Sequence, residues 1–201
     1  MGRTHAALQK KFLSLYHYLA DILPYTIVLW DERYLRFVEA NRLLKKLSPA
    51  MVIATYFGDG YLWGLVGLFI LIWGTPLDRK YVMVAFAITI INIALFRFLK
   101  FVFKRTRPLY TAPPYELGYR LLDTYSFPSG HATTSFGIAY VLAHFYPVLP
   151  VQIAAYSAAS VIAISRIHMA EHYPSDVISG ALLGVLSSAF LLPILERILR
   201  L

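Results

Sequence analysis

Three short segments carry most of the side chains able to do chemistry together. The first reads Lys100-Phe-Val-Phe-Lys104-Arg105-Thr-Arg107-Pro108. Lys100 and Arg107 are seven residues apart, close to two helical turns, so both can face one side. Pro108 stops the helix and leaves Arg107 extended. Taken alone, this run also fits a plain headgroup anchor. The second segment is Phe127-Pro128-Ser129-Gly130-His131. Ser129 suits the N-cap of a helix, and Gly130 allows close backbone approach. The exposed N–H groups and the positive end of the helix dipole there make an anion site, with His131 in the first turn beside it. The third is Ser165-Arg166-Ile-His168-Met-Ala-Glu171-His172-Tyr-Pro174-Ser-Asp176. His172 and Asp176, four apart, can pair so that the carboxylate accepts from Nδ1 and leaves Nε2 free as a nucleophile. A satisfied structural His–Asp pair has the same spacing. Arg166 offers a two-pronged guanidinium to phosphate oxygens.

Jointly the segments gather permanent cations, two imidazoles and a carboxylate. A metal site is the rival, but the sequence holds no H-E-x-x-H or multi-carboxylate pattern. With Lys100, Arg107 and Arg166 supplying positive charge, a phosphate needs no metal. No metal and no cofactor are therefore expected.

The elements that must position these groups are membrane helices. Of 201 residues 58% are hydrophobic and 15% charged, with mean hydropathy +0.58. A soluble domain carries about 25% charge, so the composition excludes an ordinary soluble globule and a disordered chain. The length fits one bundle of five or six spans of roughly 20 residues, with no second domain. The absence of cysteine removes thiol nucleophiles, disulfides and thiolate metal sites. The net charge of +8 could suit nucleic acid, but in so apolar a chain the expected partners are the bilayer, anionic lipid heads and an anionic substrate. Nucleic acid is not expected as a partner.

Uncharged runs place spans at 60–77, at 81–96 continuing toward Phe103, at 130–146, at 151–165 and at 177–195. Pro147 and Pro150 break the long run between the fourth and fifth spans. Residues 12–30 read as a first span with a polar spot, or alternatively as an interfacial helix. Residues 31–49 mix five Lys and Arg with leucines and Phe37, a basic amphipathic stretch expected at a headgroup surface; a solvated loop is the alternative. Gly180 and Gly184 form a small-xxx-small pair, expected to mark helix packing. The predicted fold is thus all-α: a polytopic bundle of six transmembrane helices with a basic interfacial segment between the first two. Residues 1–48 form the N-terminal helix and that segment, and 49–201 the catalytic bundle of a single domain. Because antiparallel spans alternate direction, the three chemical segments meet at one membrane face.

The segments KFVFKRTRP, PSGH and SRIHMAEHYPSD resemble the three signatures of the type-2 phosphatidic acid phosphatase superfamily: K-x6-RP, PSGH and SR-x5-H-x3-D. Gly58-Asp59-Gly60 resembles a frequent feature of that family. The resemblance implies a six-helix membrane enzyme that hydrolyses lipid phosphate monoesters or diphosphates without a metal. It makes His172 the nucleophile that becomes phosphohistidine, Asp176 its support and His131 the general acid. It makes Lys100, Arg107, Ser129, Gly130 and Arg166 the phosphate-binding set. His168 and His144 match no signature position, and Asp123 and Glu171 lie near the site in a tuning role at most. Two other functions are open to this chain. One is a non-enzymatic lipid-phosphate binder or transporter, disfavoured by the intact histidines and the lack of an inverted repeat. The other is vanadate-dependent halide oxidation, disfavoured by the membrane spans.

The resemblance puts the site on the outer, periplasmic face of a bacterial inner membrane. Lys and Arg do not decide orientation: 7 fall on the N-terminal side and 11 opposite, of which three belong to the expected site. The expected substrates are lipid A 1-phosphate, undecaprenyl diphosphate, phosphatidylglycerol phosphate and phosphatidate.

Overall fold

A computed structural model describes residues 25–108 and 125–201. Among the described residues there is no β-strand, only an isolated bridge between Thr106 and Tyr125. The helices are α1 Tyr25–Ala40, α2 Arg42–Lys46, α3 Ser48–Tyr56, α4 Leu62–Trp73, α5 Pro76–Phe103, α6 Gly130–Phe145, α7 Leu149–His168 and α8 Pro174–Leu199. A single π-turn, Phe57–Tyr61, joins α3 to α4. Among the described residues, four stretches are long and apolar enough to cross a membrane: Ser48–Trp73, Pro76–Phe103, Leu149–His168 and Pro174–Leu199. Their outward faces carry exposed Leu65, Phe69, Phe86, Leu186 and Phe190, as a lipid-facing surface requires. The protein is an integral membrane protein whose described elements are all helices.

Two boundaries differ from the sequence reading. The second span begins at Ser48, not near residue 60, because the chain stays helical through Gly58-Asp59-Gly60 by way of the π-turn. That turn is possible because Gly60 takes φ 108, a left-handed conformation open chiefly to glycine. The span ends at Trp73, short of residue 77, because Thr75 starts the next helix. Its hydroxyl accepts from Asp78 N, the Asp78 carboxylate accepts from Thr75 N, and Pro76 occupies the first turn. At the N-terminal side, the division expected at residue 30 falls inside the unbroken helix α1. The expected first span 12–30 lies largely outside the described residues, as does Asp123.

The centre of the bundle is α6, packed against α5, α7 and α8. It lies tightest on α8, where Gly180 and Gly184 meet the Ser129 and Thr133 carbonyls. A side chain at either glycine would strike backbone, so the small-xxx-small pair does mark helix packing. Ala139, Ala159 and Ile162 fill the α6–α7 seam beside Trp63, whose Nε1 donates to Ser135 Oγ at 3.0 Å. On the α5 side, Val84 and Ile88 pack on Val141 and Leu192. Mid-bundle, buried Asn92 accepts from Ser187 Oγ at 2.5 Å, so its amide is not left bare in an apolar interior. This core fixes the ends of α5, α6, α7 and α8 relative to one another.

Candidate active site

Six of the eight predicted site residues form one lining. Lys100, Arg107, Gly130, His131, Arg166 and His172 all face a single cavity of 1090 Å³, so both imidazoles open onto the same space. Lys100 is in the last turn of α5, His131 in the first turn of α6, Arg166 near the end of α7, and His172 in the α7–α8 connection. Ser129 is the α6 N-cap, buried, with its hydroxyl accepting from Ala132 N at 3.5 Å. Asp176 is buried in the first turn of α8, behind His172. The cavity continues from this polar end along α4, α5 and α6, past Gly64, Gly67 and Val82, as far as Tyr81 and Phe145. Tyr81 stacks on Phe145 there at 3.9 Å between centroids. From Lys100 to Tyr81 is 19 residues of helix, about 28 Å of groove wall.

The cations are held by buried partners. Glu171, fully buried, accepts from Arg166 Nη2 through Oε2. The same oxygen accepts from Arg107 Nη1 at 3.3 Å, and the Glu171 carbonyl accepts from Arg107 Nη1 at 2.9 Å. One carboxylate therefore orients both guanidinium groups, a role the sequence reading rated as tuning at most. Lys100 Nζ donates to the Tyr125 carbonyl at 2.5 Å, tying the end of α5 to the segment leading into α6.

The His172–Asp176 relation differs from the expected one. Nδ1 stands 3.7 Å from Asp176 Oδ2, beyond a hydrogen bond, and has no hydrogen-bond partner among the described residues. Arg105 takes the carboxylate instead: its Nη1 donates to Asp176 Oδ1 at 2.6 Å, while Tyr173 N donates to Oδ2 at 2.8 Å. Arg105 Nη2 also donates to buried Asp31 of α1 at 2.7 Å, and Asp31 accepts from Ser175 N at 2.9 Å. Arg105 and Asp31 were not singled out as site residues. The nearest sequence signal for them was a basic residue inside the Lys100–Arg107 interval and an acidic one in a mostly apolar run.

His172 sits in a strongly positive, dry setting. Burial first, then Arg107, Arg166, Lys100 and His131, hold its imidazole well below the ordinary histidine value. The ring is therefore held neutral in a cationic pocket that favours an anion. His131 is held differently: its Nε2 lies 2.6 Å from Asp59 Oδ1 on the π-turn. The other two described histidines pair elsewhere. His168 Nε2 bonds Ser48 Oγ at 3.0 Å, and His144 pairs with Glu196 at 2.9 Å at the other end of the bundle.

The family model of the PAP2 superfamily matches residues 81–200, which enclose all three chemical segments. This chain belongs to the PAP2 superfamily. Among curated relatives, a protein of Arabidopsis thaliana named 'Probable lipid phosphate phosphatase beta' is 32% identical over 124 residues, covering 49% of this chain and 58% of that one. An undecaprenyl-diphosphatase of Sulfolobus acidocaldarius is 32% identical over 139 residues, covering 69% of this chain and 66% of its own length. The chain thus spans less than two thirds of the length of either relative. Among solved structures, a transmembrane PAP2-type phosphatidylglycerolphosphate phosphatase of Bacillus subtilis superposes with TM-score 0.68 at 25% identity, covering 96% of each chain.

Proposed function

We propose that this protein is a lipid phosphatase that removes a terminal phosphate from a membrane lipid phosphate or diphosphate through a phosphohistidine intermediate, without a metal. The observation that carries the reading is that His131 and His172 open onto one cavity with Lys100, Arg107 and Arg166. In this reading His172 attacks phosphorus as the bond to the leaving oxygen breaks. His131 gives that oxygen its proton. In the second step His131 takes a proton from water, which attacks the phosphohistidine and releases inorganic phosphate. Lys100, Arg107 and Arg166 hold the non-bridging oxygens, joined by the Gly130 N–H at the helix start capped by Ser129. Asp176 supports His172, closing the 3.7 Å gap when substrate draws the ring into place.

The apolar groove takes the lipid tail, and the six-span topology follows if α1 continues the N-terminal span and α6 counts as a span. The four lipids named from the sequence stay as candidate substrates, with the site on the outer face of a bacterial inner membrane. The test is a phosphate-release panel over those four lipids in detergent, with and without EDTA, for the wild type and for His172→Ala and His131→Ala. Release by wild type alone, unaffected by EDTA, supports the reading. Full activity in either variant overturns it.

A further inference from the structure

The Gly58-Asp59-Gly60 turn lines the same cavity and grips one of the two imidazoles. His131 Nε2 lies 2.6 Å from Asp59 Oδ1, with side-chain exposures of only 10% and 16%. An ionised carboxylate can only accept, so Nε2 carries the hydrogen of this bond. Gly58 holds the ring from the side: a Cβ there would fall 2.7 Å from His131 Cδ2 and 2.6 Å from Ile162 Cγ2. A larger residue there would have to push the His131 ring or Ile162 aside. Gly60, at φ 108, makes the turn that presents Asp59. Two glycines and a carboxylate build a clamp on one histidine, across 72 residues of sequence.

We propose that Asp59 is a positioning residue for His131. It fixes the ring with Nε2–H toward α3–α4 and leaves Nδ1 as the nitrogen that exchanges a proton with substrate. Resting on the proposed phosphatase reading, the step balances as follows. The imidazolium gives its Nδ1 proton to the leaving oxygen as the P–O bond breaks, and the ring stays neutral with Nε2–H still on Asp59. Water then returns a proton to Nδ1 as its oxygen bonds to the phosphohistidine phosphorus. The carboxylate stabilises the imidazolium at the start of each turnover and gains no proton itself.

The experiment compares full-length wild type, Asp59→Asn and Asp59→Glu in detergent on two substrates. One is phosphatidate, with a poor alkoxide leaving group; the other is p-nitrophenyl phosphate, whose leaving group needs no proton. Asp59→Asn should lower kcat on phosphatidate about a hundredfold with KM little changed, the scale of general acid catalysis. On the aryl ester the loss should be far smaller, and Asp59→Glu should recover part of the phosphatidate rate. Equal losses on both substrates would mean a merely structural role, and an unchanged phosphatidate rate would mean none; either overturns the proposal. Ring 15N spectra of histidine-labelled protein give a second reading that needs no turnover. At a pH where the ring is neutral, His131 should be the Nε2–H tautomer in wild type and lose that preference in Asp59→Asn. If wild type releases no phosphate from any lipid, the phosphatase reading falls, and the spectra still judge the clamp: an Nδ1–H tautomer in wild type overturns it.

Discussion

Replacing Arg105 should cost more than any other change outside the cavity. Its side chain is 14% exposed and bridges Asp31 and Asp176, both 0% exposed. It also lies over the Tyr173 ring at 4.1 Å. Arg105→Met keeps the length of the stem but leaves two buried carboxylates without their cation. Removing one partner of a buried ion pair costs about 3–5 kcal/mol, chiefly for the charge left behind. One guanidinium here serves two carboxylates, so we expect the upper part of that range. In a chain of this size that lowers Tm by on the order of 10 °C, read by thermal unfolding in detergent. The companion variant separates charge from packing. Asp31→Asn alone should cost about 1–3 kcal/mol, for hydrogen bonds to a charged group. The double variant should cost less than the sum by about 1–3 kcal/mol, since one orphaned charge has gone. A Tm for Arg105→Met within a degree of wild type, or strict additivity in the cycle, would refute the reasoning.

Other outcomes follow from the same geometry. The acid limb of kcat/KM should lie below the ordinary histidine value of about 6.5, because attack needs neutral His172 and the buried cationic setting favours that form as pH falls; a limb at or above that value would count against His172 as nucleophile. Arg166→Lys keeps the charge but loses the two-pronged hold on phosphate, so kcat should fall about 10²-fold in a steady-state assay with Tm nearly unchanged. Gly184→Ala places a methyl against the Thr133 carbonyl and should lower stability by about 1–3 kcal/mol, seen as a lower Tm. Thr111→Cys should react with an impermeant maleimide on intact cells if the site faces outward; labelling only after lysis would reverse the orientation.

The convergence of the chemical segments was legible because it needs only span counting: alternating antiparallel helices bring Lys100, His131 and Arg166 to one end whatever their side-chain details. The capping role of Ser129 was equally local, as was the Gly180–Gly184 contact. What the sequence could not show was partner choice among charges. The spacing of His172 and Asp176 puts them near each other, at 3.7 Å, but cannot reveal that Arg105 competes for the same carboxylate. Glu171 was visible only as a neighbour of His172, since its hold on Arg107 depends on a contact 64 residues away in sequence. The second span was placed too late because Gly-Asp-Gly reads as a break, whereas a π-turn carries the helix through it.

The most direct test is to stop turnover within milliseconds of adding a terminally 32P-labelled lipid diphosphate and to map the label on the protein. An acid-labile phosphoryl group on His172 of the wild type, absent from His172→Ala, is the predicted result. Label on a different residue, or steady phosphate release with none on the protein at any time, would contradict it.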